Sequence, residues 1–169
     1  MKDGIDRRNF FRSITQPFEN ARKEFRERLD PLPPYCTSVD TALKNCPGCT
    51  DRPCISECPE GIVYLGKGDL PRLNFSAAGC TYCEKCAEVC PHGVLSESNP
   101  AKIGANVTIV ESGCLAWKSV ICYSCKDACD QNAITFEGMK NPRVDILACT
   151  RCGLCVKPCP ADAISIYTF

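Results

Sequence analysis

Two copies of one tight cysteine pattern constrain the fold of this chain more than any other feature of its sequence. The spacing C-x2-C-x2-C-x3-C occurs at residues 80–90 and again at residues 149–159, and a proline follows each copy. Three thiols set this closely can hold one compact group of soft metal ions from a single loop, while the fourth thiol opens the next segment. The spacing therefore predicts a small fold that is organised around metal centres.

Three kinds of chemistry use cysteine as heavily as this chain, which has 17 cysteines in 169 residues. Disulfide scaffolds are usually short and secreted and carry an even number of cysteines. Structural zinc sites pair C-x-x-C units across longer gaps, often with histidine, and His92 is the one histidine here. Overlapping C-x-x-C units that end in Cys-Pro are typical of bacterial 4Fe-4S proteins. The spacing therefore favours iron–sulfur clusters over zinc and over disulfides.

Two further rows of cysteines are less regular. The row at residues 46–58 has two extra residues between its second and third cysteines, and Pro53 stiffens that longer loop. The row at residues 114–129 has a first gap of seven residues and ends in Asp130 instead of proline. We expect 4Fe-4S clusters at the first row and both regular rows, and a fourth cluster at residues 114–129. The alternative for the row at residues 114–129 is a vestigial half-site whose cysteines are buried free thiols.

The fourth cysteine of each row determines how the rows combine. In two-cluster ferredoxins this cysteine binds the cluster of the partner row. The predicted ligand sets are then Cys46, Cys49, Cys54 with Cys90; Cys80, Cys83, Cys86 with Cys58; Cys114, Cys122, Cys125 with Cys159; and Cys149, Cys152, Cys155 with Cys129. Cys36 stays outside these sets and is interpreted as incidental, with a redox or partner-facing role as the alternative.

Short β-rich runs follow the cysteine rows and indicate the fold class. The runs are residues 62–65, 70–75, 133–136, 144–147 and 163–167. Glycine, proline and asparagine separate them, as in two-stranded hairpins, with a turn expected through Gly138, Asn141 and Pro142. A short helical turn is expected between the third and fourth cysteines of each row. The unit of cysteine loop, short helix and hairpin is expected to repeat four times. We therefore predict a small α+β fold of two tandem bacterial-type two-cluster (4Fe-4S) ferredoxin-like modules, at residues 40–110 and 111–169.

The supply of core-forming side chains is thin. Leu, Ile, Val and Phe make up only about a fifth of the chain, close to the boundary between globular and disordered compositions. Apolar residues that follow the rows, namely Ile62, Val94, Ile134 and Ile164, are expected to pack against the clusters. Since metal binding then supplies folding free energy, we expect the metal-free chain to be largely unfolded.

Charge and hydropathy exclude several classes of function. The chain has 20 acidic and 20 basic residues and a formal net charge of zero, which argues against nucleic-acid binding. It has no run of 18 apolar residues, so no membrane span is predicted. Neither a nucleophile–base pair nor a glycine-rich phosphate loop is present. We therefore expect an electron carrier or accessory protein without catalytic residues, and not an enzyme.

The first 35 residues form a separate predicted segment. Residues 6–12 resemble a twin-arginine export motif, but charged residues follow where an apolar stretch is needed, so export by that route is not expected. Apolar residues at a three-to-four-residue spacing predict an amphipathic helix over residues 17–29. Its apolar face has three interpretations: packing on the ferredoxin body, docking to a partner protein, or shallow association with a membrane.

These features together resemble the NapF-type ferredoxins of periplasmic nitrate reduction. The resemblance rests on the arginine pair without an apolar stretch, on the four cysteine rows, and most specifically on CLAW at 114–117 followed by CYSCKDAC at 122–129. It implies a cytoplasmic accessory protein that binds the precursor of the molybdenum-containing nitrate reductase subunit. It also implies a role in assembling that subunit's cluster or settling its redox state before export, and it implies the sixteen cysteines named above as cluster ligands.

Two other functions stay open. The longer loop of the first row is closer to electron-transfer subunits of membrane-anchored oxidoreductases, which makes an iron–sulfur subunit of a larger oxidoreductase complex the alternative. A further hypothesis is a binding chaperone whose clusters are mainly structural and whose N-terminal segment or module face binds a client. The predicted partner is therefore a redox partner or a client oxidoreductase precursor. A cytoplasmic location is expected, because a reducing compartment suits exposed clusters.

Overall fold

A computed structural model of the protein describes residues 29–168. Residues 30–168 form one compact unit, with four short helices and six short strands in that range. The twin-arginine-like segment and all but the last residue of the expected helix at residues 17–29 lie outside the described residues. In the part of the chain that the structure describes, every helix is too short to cross a membrane.

The helices are brief, and three of them carry a cysteine of a predicted ligand set. They are α1 (Val39–Asn45), α2 (Pro53–Ser56), α3 (Lys85–Glu88) and α4 (Ser124–Asp127). The Ser38 side chain caps α1 by accepting the Thr41 N–H at 3.0 Å. Helices α2, α3 and α4 each contain the third cysteine of a row, so the expected helical turn is confirmed for three rows and begins slightly earlier than expected. The row at residues 149–159 has turns instead.

Six strands form three antiparallel pairs. They are β1 (Val63–Leu65), β2 (Pro71–Leu73), β3 (Asn106–Ile109), β4 (Ile134–Glu137), β5 (Lys140–Val144) and β6 (Ile164–Tyr167), paired β1–β2, β3–β6 and β4–β5. The hairpins β1–β2 and β4–β5 confirm the expected hairpins after the first and third rows.

The β4–β5 turn lies earlier than the sequence predicts. Glu137 pairs with Lys140, which leaves Gly138 and Met139 as a two-residue loop. Both loop residues have positive φ, 53° and 73°, as in the type I′ turns that suit the twist of paired strands. Asn141 and Pro142 therefore lie within β5, and the expectation of a turn at these two residues is wrong.

The expected hairpin after the last row is also wrong. Strand β6 pairs with β3, with Asn106 opposite Tyr167 and Ile109 opposite Ile164. Strand β3 precedes the row at residues 114–129, and the sequence analysis did not predict it. The segment after the second row likewise makes a long-range bridge between Cys36 and Leu95. In residues 29–168, each hairpin is thus enclosed by a long-range pairing, and the hairpin unit occurs twice instead of four times.

Residues 30–35 belong to the folded body. The carbonyl of Pro31 accepts the Leu73 N–H at 2.9 Å, and the buried Tyr35 donates its hydroxyl to the Tyr82 carbonyl at 3.0 Å. Tyr64 donates its hydroxyl to Asp30 at 2.6 Å. The module boundaries at residues 40–110 and 111–169 remain a prediction.

The main apolar core spans both halves of the body. It contains nine buried residues: Ile62, Val63, Leu73, Phe75, Ile103, Cys125, Ile134, Ile164 and Ile166. Half-buried cysteines from several rows, including Cys58, Cys80 and Cys155, pack against it. Val94 is buried in a smaller cluster with Ala42 and Leu70. The sulfur atoms therefore lie directly against the hydrophobic core.

Candidate metal centres

The structure gathers sixteen cysteines around four cavities of about 340 to 440 Å³, their open mouths included. Each cavity is lined by three cysteines of one row and the fourth cysteine of another. The lining cysteines are Cys46, Cys49, Cys54 and Cys90 at site 1; Cys58, Cys80, Cys83 and Cys86 at site 2; Cys129, Cys149, Cys152 and Cys155 at site 3; and Cys114, Cys122, Cys125 and Cys159 at site 4. These groups coincide with the predicted ligand sets, whose role in binding remains a prediction.

The loops of the two regular rows share an unusual backbone conformation. Tyr82 and Glu84 have φ of 55° and 65°, and the equivalent Arg151 and Gly153 have φ of 66° and 80°. The same pattern of left-handed residues in both rows indicates that the two loops follow the same backbone path around their sites.

A turn after the fourth cysteine recurs in all four rows. Its third residue has positive φ and donates its N–H to the carbonyl of that cysteine; the pairs are Gly61 to Cys58, Gly93 to Cys90, Asn132 to Cys129 and Asp162 to Cys159, at 2.9 to 3.4 Å. Glycine, asparagine and aspartate are the residues that adopt this conformation most readily. The turn reverses the chain, so that the peptide groups that follow point back toward the sulfur.

Backbone N–H groups reach three of these sulfur atoms. The N–H groups of Leu95, Ala133 and Ala163 donate to Sγ of Cys90, Cys129 and Cys159 at 3.4, 3.4 and 3.3 Å. Such bonds favour the anionic thiolate and tune any metal that it binds. Sequence analysis missed these donors, although a residue that tolerates positive φ three positions after the last cysteine is visible in every row.

Without a bound cation, the protein favours the neutral thiols. Burial, and after it the repulsion of neighbouring thiolates, raises the pKa of Cys46, Cys54, Cys80 and Cys125 to about 11 and that of Cys86 and Cys155 to about 12. Thiolates at neutral pH therefore need a positively charged group between them.

The donor sets fit a group larger than a single ion. Among residues 29–168, no three side chains of His, Cys, Asp or Glu meet at a point suited to one metal ion. Instead, four cysteines surround each cavity, and N–H donors approach sulfur from the protein side. Four soft thiolates around one enclosed space are the donor set of a 4Fe-4S cluster.

Two arginines line the sites, and sequence analysis did not single them out. Arg151 lines site 3 and donates from Nε to the Ala105 carbonyl at 2.9 Å and from Nη1 to the Cys149 carbonyl at 3.1 Å. Arg52 lines site 1, where its Nε is buried and has no hydrogen-bond partner among the described residues. Both arginines lie inside a cysteine row, and this position in the sequence was the available indication that they line the sites.

Sites 2 and 3 meet at a tight backbone junction. The Cys80 N–H donates to the Cys152 carbonyl at 2.6 Å, and the Tyr82 hydroxyl donates to the Thr150 carbonyl at 2.5 Å. A Cβ on Gly79 would lie 2.6 Å from the Leu154 nitrogen. The two regular rows thus touch through their main chains, at positions where a side chain would not fit.

The other sites adjoin this pair in a series. Helix α2, which carries Cys54 of site 1, contacts helix α3, which carries Cys86 of site 2. Ile164 lines both site 3 and site 4. With the junction between sites 2 and 3, neighbouring sites form the series 1, 2, 3, 4.

Cys36 lies beside site 1 without lining it. Its half-buried side chain packs near Cys46 and Cys90, and its Sγ donates to the Ser38 carbonyl at 3.5 Å. The interpretation of this thiol as incidental remains a prediction.

Comparison with known proteins gives one consistent family. Residues 75–96 and 142–165 match the 4Fe-4S binding domain family. The chain is 33% identical over 137 residues to the ferredoxin-type protein NapF of Escherichia coli, which covers 79% of this chain and 82% of that protein. It is 30% identical over 171 residues to the NapF protein of Haemophilus influenzae, at 97% and 94% coverage. The ferredoxin-type protein NapG of Escherichia coli is 28% identical, at 79% and 68% coverage. The chain therefore belongs to the NapF family of ferredoxin-type 4Fe-4S proteins.

Proposed function

We propose that this chain is an electron-transfer accessory protein with four 4Fe-4S clusters in two tandem ferredoxin-like modules. It acts in the cytoplasm and assists maturation of the precursor of a periplasmic nitrate reductase catalytic subunit. The observation that carries the first part is the set of four cavities, each lined by four cysteines from two rows. Membership of the NapF family and the resemblance of the third row support the second part.

The protein's own residues hold, insulate and order the sites. A bound 4Fe-4S cluster supplies a one-electron redox centre. The cysteines anchor it, the backbone N–H groups offset thiolate charge, and core residues such as Ile134 and Ile164 exclude water from the sulfur atoms of sites 3 and 4. Because this framework is set by short loops and backbone hydrogen bonds, little rearrangement accompanies a change of charge.

The junction between the regular rows favours one continuous relay over two independent modules. The Cys80–Cys152 hydrogen bond joins the loops of sites 2 and 3 through main chain alone. The side-chain conformations of the junction therefore have little influence on the spacing of these sites. A series with two ends suits a protein that accepts electrons from one partner and passes them to another.

The cofactor content is tested by anaerobic iron and acid-labile sulfide analysis with EPR of the reduced protein. About sixteen irons per chain are expected, at four irons per cluster. Cys54→Ser, Cys86→Ser, Cys125→Ser and Cys155→Ser each change one site, and each should lower the iron content by up to a cluster. The matched control is Cys36→Ser, which should leave it unchanged. Zinc without sulfide would contradict the proposal.

The client is tested by binding to the purified nitrate reductase precursor. The full chain and a truncation lacking residues 1–28 are compared; residues 30–35 are kept because they pack into the body. Binding by the full chain supports the maturation role, and absence of binding contradicts it. Loss of binding in the truncation, with cluster absorbance intact, would show that the N-terminal segment binds the precursor. Purification from cells in a fixed stoichiometric complex would favour the alternative of an oxidoreductase subunit.

A further inference from the structure

The two extra residues of the first cysteine row bring a positive charge to site 1. The regular rows have two residues between their second and third cysteines, whereas this row has residues 50–53 between Cys49 and Cys54. The longer loop carries Arg52, which lines the cavity of site 1 together with the cysteines. Sites 2 and 4 have no arginine in their linings.

The backbone holds Arg52 in a strained conformation. Its φ is 44° and its ψ is 53°, in the left-handed region, immediately before Pro53 and helix α2. Such a conformation is unfavourable for a residue that carries a Cβ atom. The Arg52 carbonyl accepts the Ile55 N–H at 2.9 Å, so the first turn of α2 fixes this residue. The loop is therefore built to present the side chain in one direction.

The Arg52 side chain has an N–H group that nothing in the described protein accepts. Its Nη2 lies 3.8 Å from Asp69, which is a weak ion pair, and its Nε is buried without a partner. A buried donor without an acceptor destabilises the folded protein. At Arg151, by contrast, both Nε and Nη1 donate to backbone carbonyls. Because Arg52 lines site 1, a sulfur acceptor in that site would satisfy the unpaired N–H.

The Arg52 side chain brings a full positive charge to the cavity that the four cysteines of site 1 line. This charge favours whichever state of a bound group carries more negative charge. For an iron–sulfur centre that state is the reduced one, and hydrogen bonds to sulfur act in the same direction.

We propose that Arg52 is a positioning residue that donates its Nε–H to sulfur in site 1 and raises the reduction potential of that site, so that electrons collect there. This inference rests on the proposed function, since it requires a cluster in site 1. Each reduction is the gain of one electron from an external one-electron donor such as dithionite, without a bond being made or broken. Site 1 is one end of the series and is also lined by the exposed Pro91 and His92, so a partner protein can approach it.

The test is an EPR-monitored redox titration of the full chain with all clusters loaded. The EPR signal of site 1 is identified as the signal that changes in Cys54→Ser. In Arg52→Gln we expect the ratio of reduced to oxidised site 1 to fall roughly tenfold at a fixed potential, which corresponds to about 59 mV for one electron. Arg52→Lys keeps the charge without the planar Nε donor and should give a smaller shift in the same direction.

Two controls separate this effect from general charge changes. Arg143→Gln removes an exposed arginine that pairs with Glu137 and should leave site 1 unchanged. Asp69→Asn removes the acid near Arg52 and should shift the reduction potential of site 1 upward.

Two results would overturn the inference: a reduction potential of site 1 that is unchanged in Arg52→Gln, or one that is not the highest of the four sites. Loss of iron from site 1 in both Arg52 variants would also overturn it, by showing a structural role. Fewer than about sixteen irons in the unmodified chain would instead count against the proposed function.

Discussion

Single residues give the four sites different electrostatic surroundings. Site 1 is lined by Arg52 and Asp69, and site 3 is lined by Arg151. Site 2 is lined by Glu60 and Glu84, and no charged side chain other than cysteine lines site 4. Cations favour a reduced cluster and anions an oxidised one, because reduction adds negative charge. Sixteen similar ligands can therefore hold clusters of unequal potential.

The raised thiol pKa values make cluster loading depend on pH. The metal-free thiols of Cys86 and Cys155, with pKa values of about 12, keep their protons at neutral pH, whereas a cluster binds the thiolates. Loading must release protons and is therefore favoured as the pH rises from about 6 to 9. Anaerobic reconstitution in weak buffer with a pH indicator measures the release. Loading that neither releases protons nor varies with pH would contradict this prediction.

At the scale of single elements, close backbone packing and turn geometry set the arrangement. The loop of the fourth row places Gly153, at φ 80°, against the ring of Phe75. Helices of four to seven residues and strands of three to five residues bury little area by themselves, so the loops that join them determine where the sulfur atoms lie.

Gly153→Ala is expected to disrupt the junction between the regular rows. Its Cβ would collide with the Phe75 ring, and its φ is unfavourable for alanine. We expect the backbone conformation to lower the free energy of unfolding by about 1 to 2 kcal/mol, and overpacking to lower it by about 1 to 3 kcal/mol more. Gly93→Ala is the matched control, since it has φ 62° and open space around its Cβ. Cluster absorbance on heating should fall at a clearly lower temperature in Gly153→Ala, and equal behaviour of both variants would contradict the packing argument.

Met139→Gly is expected to stabilise the β4–β5 hairpin. Met139 is exposed and has φ 73° in the second position of a two-residue turn, where glycine carries no Cβ penalty. The free energy of unfolding is expected to rise by about 0.5 to 1 kcal/mol, once the entropy cost of glycine is subtracted. Lys140→Gly, one residue into β5, should instead be destabilising. Amide hydrogen exchange across the hairpin measures both, and weaker protection in Met139→Gly would contradict the turn assignment.

At the scale of the whole molecule, the core and the sites are one structure. Cysteines from all four rows lie in or against the core that contains Leu73, Ile103 and Ile134. The long-range pairs β3–β6 and Cys36–Leu95 close the two halves around their hairpins. Removing the groups that hold the thiols together therefore affects the apolar core as well.

Cluster removal is expected to unfold residues 30–168 as a unit. Without a cation, the buried thiols lose the group that links their rows, and the small apolar core alone leaves little stability. Treatment with a chelator and oxidant should abolish the near-ultraviolet circular dichroism and expose the body to protease. Cys36→Ser, which leaves all four cavities intact, is the control and should behave as the unmodified protein when loaded. A protease-resistant metal-free body would contradict this prediction.

The sequence by itself determined the local parts of this protein, and the tertiary structure decided how they join. Closely spaced cysteines on one loop can only surround one space, so the grouping of thiols and the two hairpins were visible in the spacing and in glycine-rich turns. The partner of β6 and the order of the four sites depend on segments far apart in the chain. These arrangements follow from burying one apolar core and from backbone hydrogen bonds such as Cys80–Cys152, which leave no periodic pattern in the sequence.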